Sequence, residues 1–418
     1  MGDKMKYKIN TDYKLKEMVS YAYTHSPFYQ RKLQSMDVSL EELIQDWEKV
    51  PIIQKRELMY TQDSVVPYEY LTQLGLGEIY ASNTSGSTGQ CLTIYWNHWD
   101  MAKSMMPLWL YRKKYYGITP TDRYCYFYTL RNIGRADPEW ETHKTGMGFS
   151  KQNLTWEKLE WIYEKMYAHQ PAWMLLQPSI AISLGKYVLE SGVEGINSLK
   201  YIELTGEMFT ERNQKFLEAA FQVPVRSQYG CNEANSIAYQ CPCGNLHIME
   251  ANVHVDIIRD GRSVPEGEEG NIVITSKHNR VMPFIKYDIG DCGMLLDKPC
   301  SCGNKGKVLK LTKGRSNDLI LLEKEEECSV YEFIRAFRCI EKSIDGTLYQ
   351  YQIIQKSYYG FEVHLVTDER KEVIEQLFKA NIQNKTLQKA DYSFILHDCL
   401  LPEEDCGKLR MFRREIAE

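Results

Sequence analysis

The sequence predicts an α/β protein with a large N-terminal domain, in which helices flank sheets and a β-rich subdomain is attached, and a small α+β domain after it. Three observations predict this. From 120 to 280, short apolar runs alternate with helical patterns, as a parallel sheet with covered faces requires. The stretch HVDIIRDGRSVPEGEEGNIVITS then alternates apolar and polar residues between Gly- and Pro-rich turns, as β-hairpins do. Beyond about 318, the chain has strands and a helix of its own.

The elements follow in order. Residues 14 to 34 carry apolar side chains at helical spacing, and Ser26-Pro27 divides them into two helices. PIIQKRELMY, 51 to 60, is a loop entering a helix. A long aromatic-rich helix covers 98 to 116, with Pro107 as a place for a kink and Met101, Met105, Leu108 and Tyr115 as its core stripe. DRYCYFYTL, AWMLLQPS, LKYIELTGE and VPVRSQYG are strands, separated by helices at 154–169, 179–192 and 211–221. In the tail, YQYQIIQ, GFEVHLVT and DYSFILHD are strands around a helix at 369–383. The acidic run from Glu323 to Glu327 reads as a solvated turn.

Composition narrows the function. The 418 residues are 43% apolar, enough to bury a real core. A net charge of −5 argues against a nucleic-acid binder. No apolar run approaches the roughly 20 residues of a membrane span, and MGDKMKYKIN has no secretory signal's apolar segment, so a soluble cytoplasmic protein is expected.

Two features carry chemistry. The first is TSGSTG, Thr84, Ser85, Gly86, Ser87, Thr88 and Gly89, set between two strand-like pieces. Such a loop holds phosphate through backbone N–H groups and hydroxyls, and the plainer alternative is a flexible linker. No Gly-Lys-Ser/Thr follows, so it is not a Walker P-loop. The second is a pair of C-x-C-G knuckles, CPCGNLH (241–247) and CSCGN (300–304), among 12 cysteines. Paired thiolates followed by glycine make a structural zinc site, and spacing alone favours Cys241, Cys243, Cys300 and Cys302.

Further pieces complete a pattern: ELTGEMF (203–209), QYGCNEAN (228–235), RVMPFIKYDIGDCG (280–293), KGRSNDLI (313–320) and CGKLRMFRRE (406–415). In this order, with the phosphate loop, they resemble the adenylate-forming superfamily. YAYTHSPFYQRKL, PIIQKREL and the Cys-rich insertion resemble its branch of phenylacetate–CoA ligase, coenzyme F390 synthetase and CapK-like proteins.

The resemblance implies an adenylation domain over 1–316 and a mobile domain over 317–418. It implies that Thr84 to Gly89 hold the β- and γ-phosphates of ATP, that Gly206 and Glu207 line the adenine pocket, and that Tyr229 lies against the adenine or the acyl group. Glu233 is implied as the Mg²⁺ ligand, Asp291 as the ribose acceptor, Arg315 as a ribose or phosphate contact, and Lys408 as the catalytic lysine. For zinc it implies Cys241 and His247 from the first knuckle, with Cys243 spare. Tyrosines near 124–135, with Arg131 and Arg135, suit an aryl or small polar acid as substrate.

Two departures bear on the acceptor. Gln90 and Cys91 stand where relatives have lysine and proline, and Asn317 stands at the hinge position with LLEKEEEC in place of a glycine-containing segment. The acceptor is therefore left open between a thiol, of CoA or of a carrier protein's phosphopantetheine, and an amine. An inactive zinc-braced scaffold is the alternative of another class. Monomer and homodimer both stay open.

Overall fold

The computed structural model describes residues 12–59, 61–83, 92–128, 139–151, 154–296, 299–313, 319–322, 327–402 and 408–416. Contacts within the chain gather into two compact units. One holds residues 1–117 and 228–312, the other 118–227 and 313–418.

In the first unit, Asp12 caps helix Tyr13–His25 by accepting the Leu15 N–H at 3.1 Å, and the helix stops at Ser26 where Pro27 begins the next, Pro27–Gln34. Strands Tyr80–Asn83 and Thr93–Trp96 form an antiparallel pair. Asn97 then caps helix His98–Tyr116, which continues through Pro107 and closes on Gly117 at φ 65°. The strands run in the order Arg262–Ser263, Val253–Arg259, Gly270–Ser276, Tyr287–Leu296, Val308–Lys313, Leu246–Ile248, Asn235–Gln240 and Val225–Cys231. One face buries Trp47, Ile53, Ile94, Ile237, Ile274 and Phe284 in a single core.

The second unit begins the parallel sheet expected from the alternating pattern. Tyr124–Tyr128, Trp173–Leu176, Tyr201–Leu204 and the start of Val225–Cys231 are parallel neighbours. Helices Trp156–His169, Pro178–Ser191 and Glu211–Phe221 cover one face, burying Cys125, Ile162, Met174, Leu184, Ile202 and Leu217. Two strands not expected from sequence extend the sheet. Gly146–Ser150 is parallel to Tyr124–Tyr128, and Trp140–Thr142 is antiparallel to Gly146–Ser150.

The tail forms a four-stranded sheet in the order Asp391–Leu396, Gly360–Thr367, Leu348–Gln355 and Phe412–Arg414. Helix Lys371–Asn381 appears within the expected 369–383, and a second helix, Tyr331–Ser343, packs Phe333, Phe337 and Ile340 into the same core. Among the described residues, no helix is long and apolar enough to cross a membrane.

Candidate active site and candidate metal centre

Thr84, Ser85, Gly86, Ser87, Thr88, Gly89 and Arg315 lie outside the described residues, as do Arg131, Arg135 and Asn317. The strands that border the Ser/Thr/Gly segment are described. Asn83 ends one of them, and its carbonyl accepts the Asn232 side-chain amide at 2.9 Å. On the other, the Trp96 indole N–H donates to the Asn232 carbonyl at 2.8 Å. Asn232 immediately precedes Glu233, so the segment's two shoulders are fastened to the turn that carries this carboxylate.

That turn joins strands Val225–Cys231 and Asn235–Gln240. Glu233 is buried on it, and its Oε1 accepts the Tyr287 hydroxyl at 3.1 Å. Burial, with the carboxylate beside it, pushes the Tyr287 hydroxyl well above the ordinary tyrosine range, so it stays a proton donor. Tyr287 opens strand Tyr287–Leu296, which carries Asp291 four residues on. The Tyr229 hydroxyl donates to Asp291 Oδ2 at 2.7 Å. The structure thus brings Tyr229, Glu233 and Asp291 together through two tyrosine–carboxylate bonds.

The segment PIIQ supports this group. Ile53 N–H donates to Lys286 O at 2.8 Å, and Asp288 N–H donates to Ile53 O at 3.0 Å, so Ile53 pairs with Tyr287 as a short parallel bridge. Tyr287, Gln54 and Asp288 were missed from sequence. Gln54 and Asn271 amides both donate to Asp288 Oδ2, at 3.3 and 3.1 Å, and only the KYDIGD context marks the position. Lys286 is 2% exposed, at φ 44°, with its ammonium donating to Trp47 O at 2.9 Å. Trp47 Nε1 in turn donates to the buried Asp256 carboxylate at 2.9 Å. Asp256 stays below the usual carboxylate range although burial opposes this, because His254 and Lys286 face it.

In the second unit, Gly206 follows the end of parallel strand Tyr201–Leu204, at φ 89°. The C-terminal ends of such strands are where α/β sheets present ligand sites. A Cβ on Gly206 would stand 3.6 Å from Lys408 Cε, so the lysine's stem passes over this glycine. Glu207 comes next. Its carboxylate accepts the Ser179 N–H at 2.9 Å, the Ser179 hydroxyl at 3.0 Å and the Leu409 N–H at 2.8 Å. Burial raises its pKa, and those donors oppose the rise. The structure therefore brings Gly206, Glu207 and Lys408 together, although 200 residues separate them in sequence.

The cysteine knuckles also converge. The ligand atoms of Cys241, His247, Cys300 and Cys302 lie within 4.8 Å of one another. Cys243 is exposed and not in this group; its sulfur accepts from the Ser301 hydroxyl at 3.2 Å. His247 sits on strand Leu246–Ile248, and the carbonyl of Gly306 is 3.0 Å from its Nδ1. A carbonyl accepts only, so Nδ1 carries the proton and Nε2, 3.4 Å from Cys302 Sγ, keeps its lone pair. Asn245 amide and Asn304 N–H donate to the sulfurs of Cys300 and Cys302, at 3.2 and 3.4 Å.

Cys241 and Cys300 sulfurs stand 3.6 Å apart. Burial opposes ionisation of Cys300, but the Cys302 N–H and the Asn245 amide outweigh it and hold the thiol below the ordinary cysteine value. Burial raises Cys241 to about 12. Three sulfurs and an imidazole, with donors on the sulfurs of Cys300 and Cys302 and the Gly306 carbonyl accepting from the imidazole, fit a tetrahedral zinc ion. Tyr111 and Tyr115 of helix His98–Tyr116 stack in parallel with Tyr239 beside this group, and Asn304 donates to the Tyr111 hydroxyl at 2.7 Å.

No family model matches the chain. It is 21% identical over 360 residues to protein CapK of Staphylococcus aureus, covering 84% of this chain and 77% of that one. It is 24% identical over 328 residues to the phenylacetate-coenzyme A ligase of Thermus thermophilus, covering 74% and 70%. Among solved structures, 2-hydroxyisobutyryl-CoA ligase in the postadenylation state, bound to 2-HIB-AMP, matches with a TM-score of 0.70 at 16% identity, covering 96% of this chain and 88% of that one. The chain therefore has the fold of the adenylate-forming CoA ligases and is similar in sequence to phenylacetate–CoA ligase and CapK.

Proposed function

We propose that the protein is an ATP-dependent acid–thiol ligase that converts a small carboxylic acid, aryl or polar, to its acyl-adenylate. A carboxylate oxygen bonds to the α-phosphorus, the bond from that phosphorus to the β-bridging oxygen breaks, and pyrophosphate leaves. A thiol of CoA or of a carrier protein's phosphopantetheine then attacks the acyl carbon, gives up its proton, and AMP leaves.

The observation that supports this reading most is the seat of Lys408. A lysine near the end of the chain is delivered to Gly206, at the C-terminal end of a parallel strand. Phosphoryl chemistry of this kind needs little covalent help. It needs alignment and positive charge near the phosphates. Lys408 supplies that charge, Asp291 accepts from the ribose hydroxyls, Tyr229 keeps Asp291 oriented, and Tyr287 does the same for Glu233. Glu233 would hold Mg²⁺, whose hard charge offsets that of the phosphates. Cys241, His247, Cys300 and Cys302 would hold a structural zinc.

ATP–pyrophosphate exchange against a panel of aryl, amino and short aliphatic acids tests the reading. Exchange with one acid, cut by Lys408→Ala to a small residual rate, is the expected result. CoA, a phosphopantetheinylated carrier and amines, added in turn, identify the acceptor, and transfer to an amine alone would replace the thiol by an amide-forming step. Failure of the folded protein to bind ATP at all would overturn the reading in favour of a scaffold.

A further inference from the structure

Lys408 is useful only if its main chain is held, because a lysine side chain has four rotatable bonds and a flexible stem. Two side chains are among the groups that hold the peptide around it. Gln352 Nε2 donates to the Arg410 carbonyl at 3.0 Å, and Glu207 Oε1 accepts the Leu409 N–H at 2.8 Å. Gln352 lies on strand Leu348–Gln355, which pairs directly with Phe412–Arg414, so its contact is local to the tail's own sheet. Glu207 is different. It belongs to the turn after Tyr201–Leu204, and both its oxygens are already seated on Ser179, the second residue of helix Pro178–Ser191.

A carboxylate on the exposed N–H groups of a helix's first turn is itself fixed, by hydrogen bonds and by the helix dipole. Glu207 is thus a rigid acceptor aimed at the peptide that follows Lys408. The neighbouring helix Glu211–Phe221 adds to this docking. Arg212 donates to the carbonyls of Ile344 and Gly346, and Asn213 Nδ2 donates to Tyr349 O at 2.9 Å. Gly206 completes the arrangement, because at φ 89° and without a Cβ it leaves the lysine stem its passage.

We propose that Glu207 is a positioning residue: its carboxylate, seated on the start of helix Pro178–Ser191, holds the Leu409 N–H and so places the Lys408 ammonium at the Gly206 turn. The inference rests on the adenylation reading and assigns Glu207 a task other than touching adenine. The two tasks differ in what they predict. A residue that acts through Lys408 loses its effect when Lys408 is gone, whereas a residue that touches the nucleotide does not.

The test is a double-mutant cycle on pyrophosphate exchange, with Glu207→Ala, Glu207→Gln, Lys408→Ala and the combinations. Glu207→Ala is expected to lower kcat about 10- to 100-fold, the scale of an ångström-sized misplacement, with KM for ATP little changed. Glu207→Gln keeps an oxygen acceptor and should recover most of that loss. In the Lys408→Ala background, Glu207→Ala should change the residual rate less than about twofold. A full Glu207→Ala effect in that background, or a loss confined to KM for ATP, overturns the proposal.

Amide hydrogen exchange provides a measurement that needs no substrate. The peptide containing Leu409 should exchange faster in Glu207→Ala, and less so in Glu207→Gln, with the thermal midpoint as the control for folding. Unchanged exchange at Leu409 overturns the anchor. If the wild-type protein neither exchanges pyrophosphate nor binds ATP, the ligase reading fails, and the Leu409 measurement still decides whether Glu207 holds this segment. Should Glu207→Ala not fold, Ser179→Ala, which removes one of the donors that seat the carboxylate, carries the same comparison, with Glu207→Gln as its conservative control.

Discussion

Gly230→Ala is the substitution for which the structure predicts the largest effect from the smallest chemical change. Gly230 sits in strand Val225–Cys231 at an irregularity in its pairing with Asn235–Gln240, two residues before Asn232 and three before Glu233. A Cβ placed there would stand 1.9 Å from the Asn235 carbonyl oxygen and 2.6 Å from the Gln228 amide nitrogen. The glutamine side chain can swing away, but the carbonyl belongs to the partner strand.

Ordinary contact begins near 3.4 Å, so the two strands must part by about 1.5 Å at this point, the difference between 3.4 and 1.9. Overpacking of this size costs about 1–3 kcal/mol, since interiors transmit strain rather than absorb it. The hairpin that opens carries Glu233 and, through Asn232, both shoulders of the Ser/Thr/Gly segment. A displacement above an ångström in a positioning element costs on the order of 10²-fold in rate.

The assay is urea denaturation beside pyrophosphate exchange, with Gly75→Ala as the control. Gly75 meets nothing within 4 Å and has no positive φ, so its substitution should alter neither. A Gly230→Ala protein with wild-type stability and exchange would refute the argument, because it would mean that the strands separate at this hairpin without consequence for Glu233.

Three further predictions follow from buried charge and from the cysteine group. Lys286→Met should destabilise the protein by about 1–3 kcal/mol, by leaving the buried Trp47 carbonyl without its ammonium donor and removing one of the two cations that face Asp256, and Asp256→Asn added to it should recover part of the loss; additive losses in urea denaturation would mean the two charges do not interact. Glu341 is raised by burial to about 7 against the pull of Arg338 and Arg212. Its folded pKa exceeds the ordinary 4.5, so the stabilisation is present below about 4.5 and is lost as pH rises through 7. That gap is worth about 3 kcal/mol, so between pH 5 and 8 the wild type should lose stability that Glu341→Gln keeps, and parallel pH profiles would contradict it. Elemental analysis of purified protein should give about one zinc per chain, kept in Cys243→Ser and lost in Cys302→Ser and His247→Ala; full occupancy in His247→Ala would exclude the imidazole as a ligand.

How much of this was legible in sequence depended on whether a feature is local. The alternation of strands and helices from 120 to 230 was legible because each element has its own period and two of the helices their own cap, as Thr210 caps Glu211–Phe221 by accepting the Asn213 N–H. Strand Gly146–Ser150 was not, because two glycines in five residues argue against a strand. They are there because Tyr124 and Tyr126 of the adjacent strand lie across them; a Cβ on Gly148 would be 2.7 Å from the Tyr126 ring. Helix Tyr331–Ser343 was legible in principle, since Phe333, Ile334, Phe337 and Ile340 keep helical spacing, but it went unrecognised beside the acidic run that precedes it. The grip of Glu207 on Leu409 had no sequence signal, because nothing in either segment refers to a partner 202 residues away.

The choice between Cys243 and His247 shows the same limit and leads to the last expectation. Spacing treats CPCG and CSCG alike. The chain does not, because Gly244 turns at φ 85° and sends the following strand back along Asn235–Gln240, with His247 opposite Tyr239. The metal group therefore stands at one end of strand Asn235–Gln240 and the Glu233 turn at the other, six residues or roughly 20 Å apart. No ion at that distance touches substrate held near Glu233. An ion held there would tie the far end of the strand to the 300–306 segment, and so resist the slippage that would move Glu233. A metal acting in this way should be replaceable by any ion that accepts tetrahedral thiolate and imidazole ligands. Protein stripped by a chelator should lose stability and exchange activity in step, and Co²⁺ or Cd²⁺ should restore both to nearly the zinc level. Restored stability without restored exchange, or a KM for the acid that changes with the identity of the ion, would mean that the metal takes part in the reaction itself.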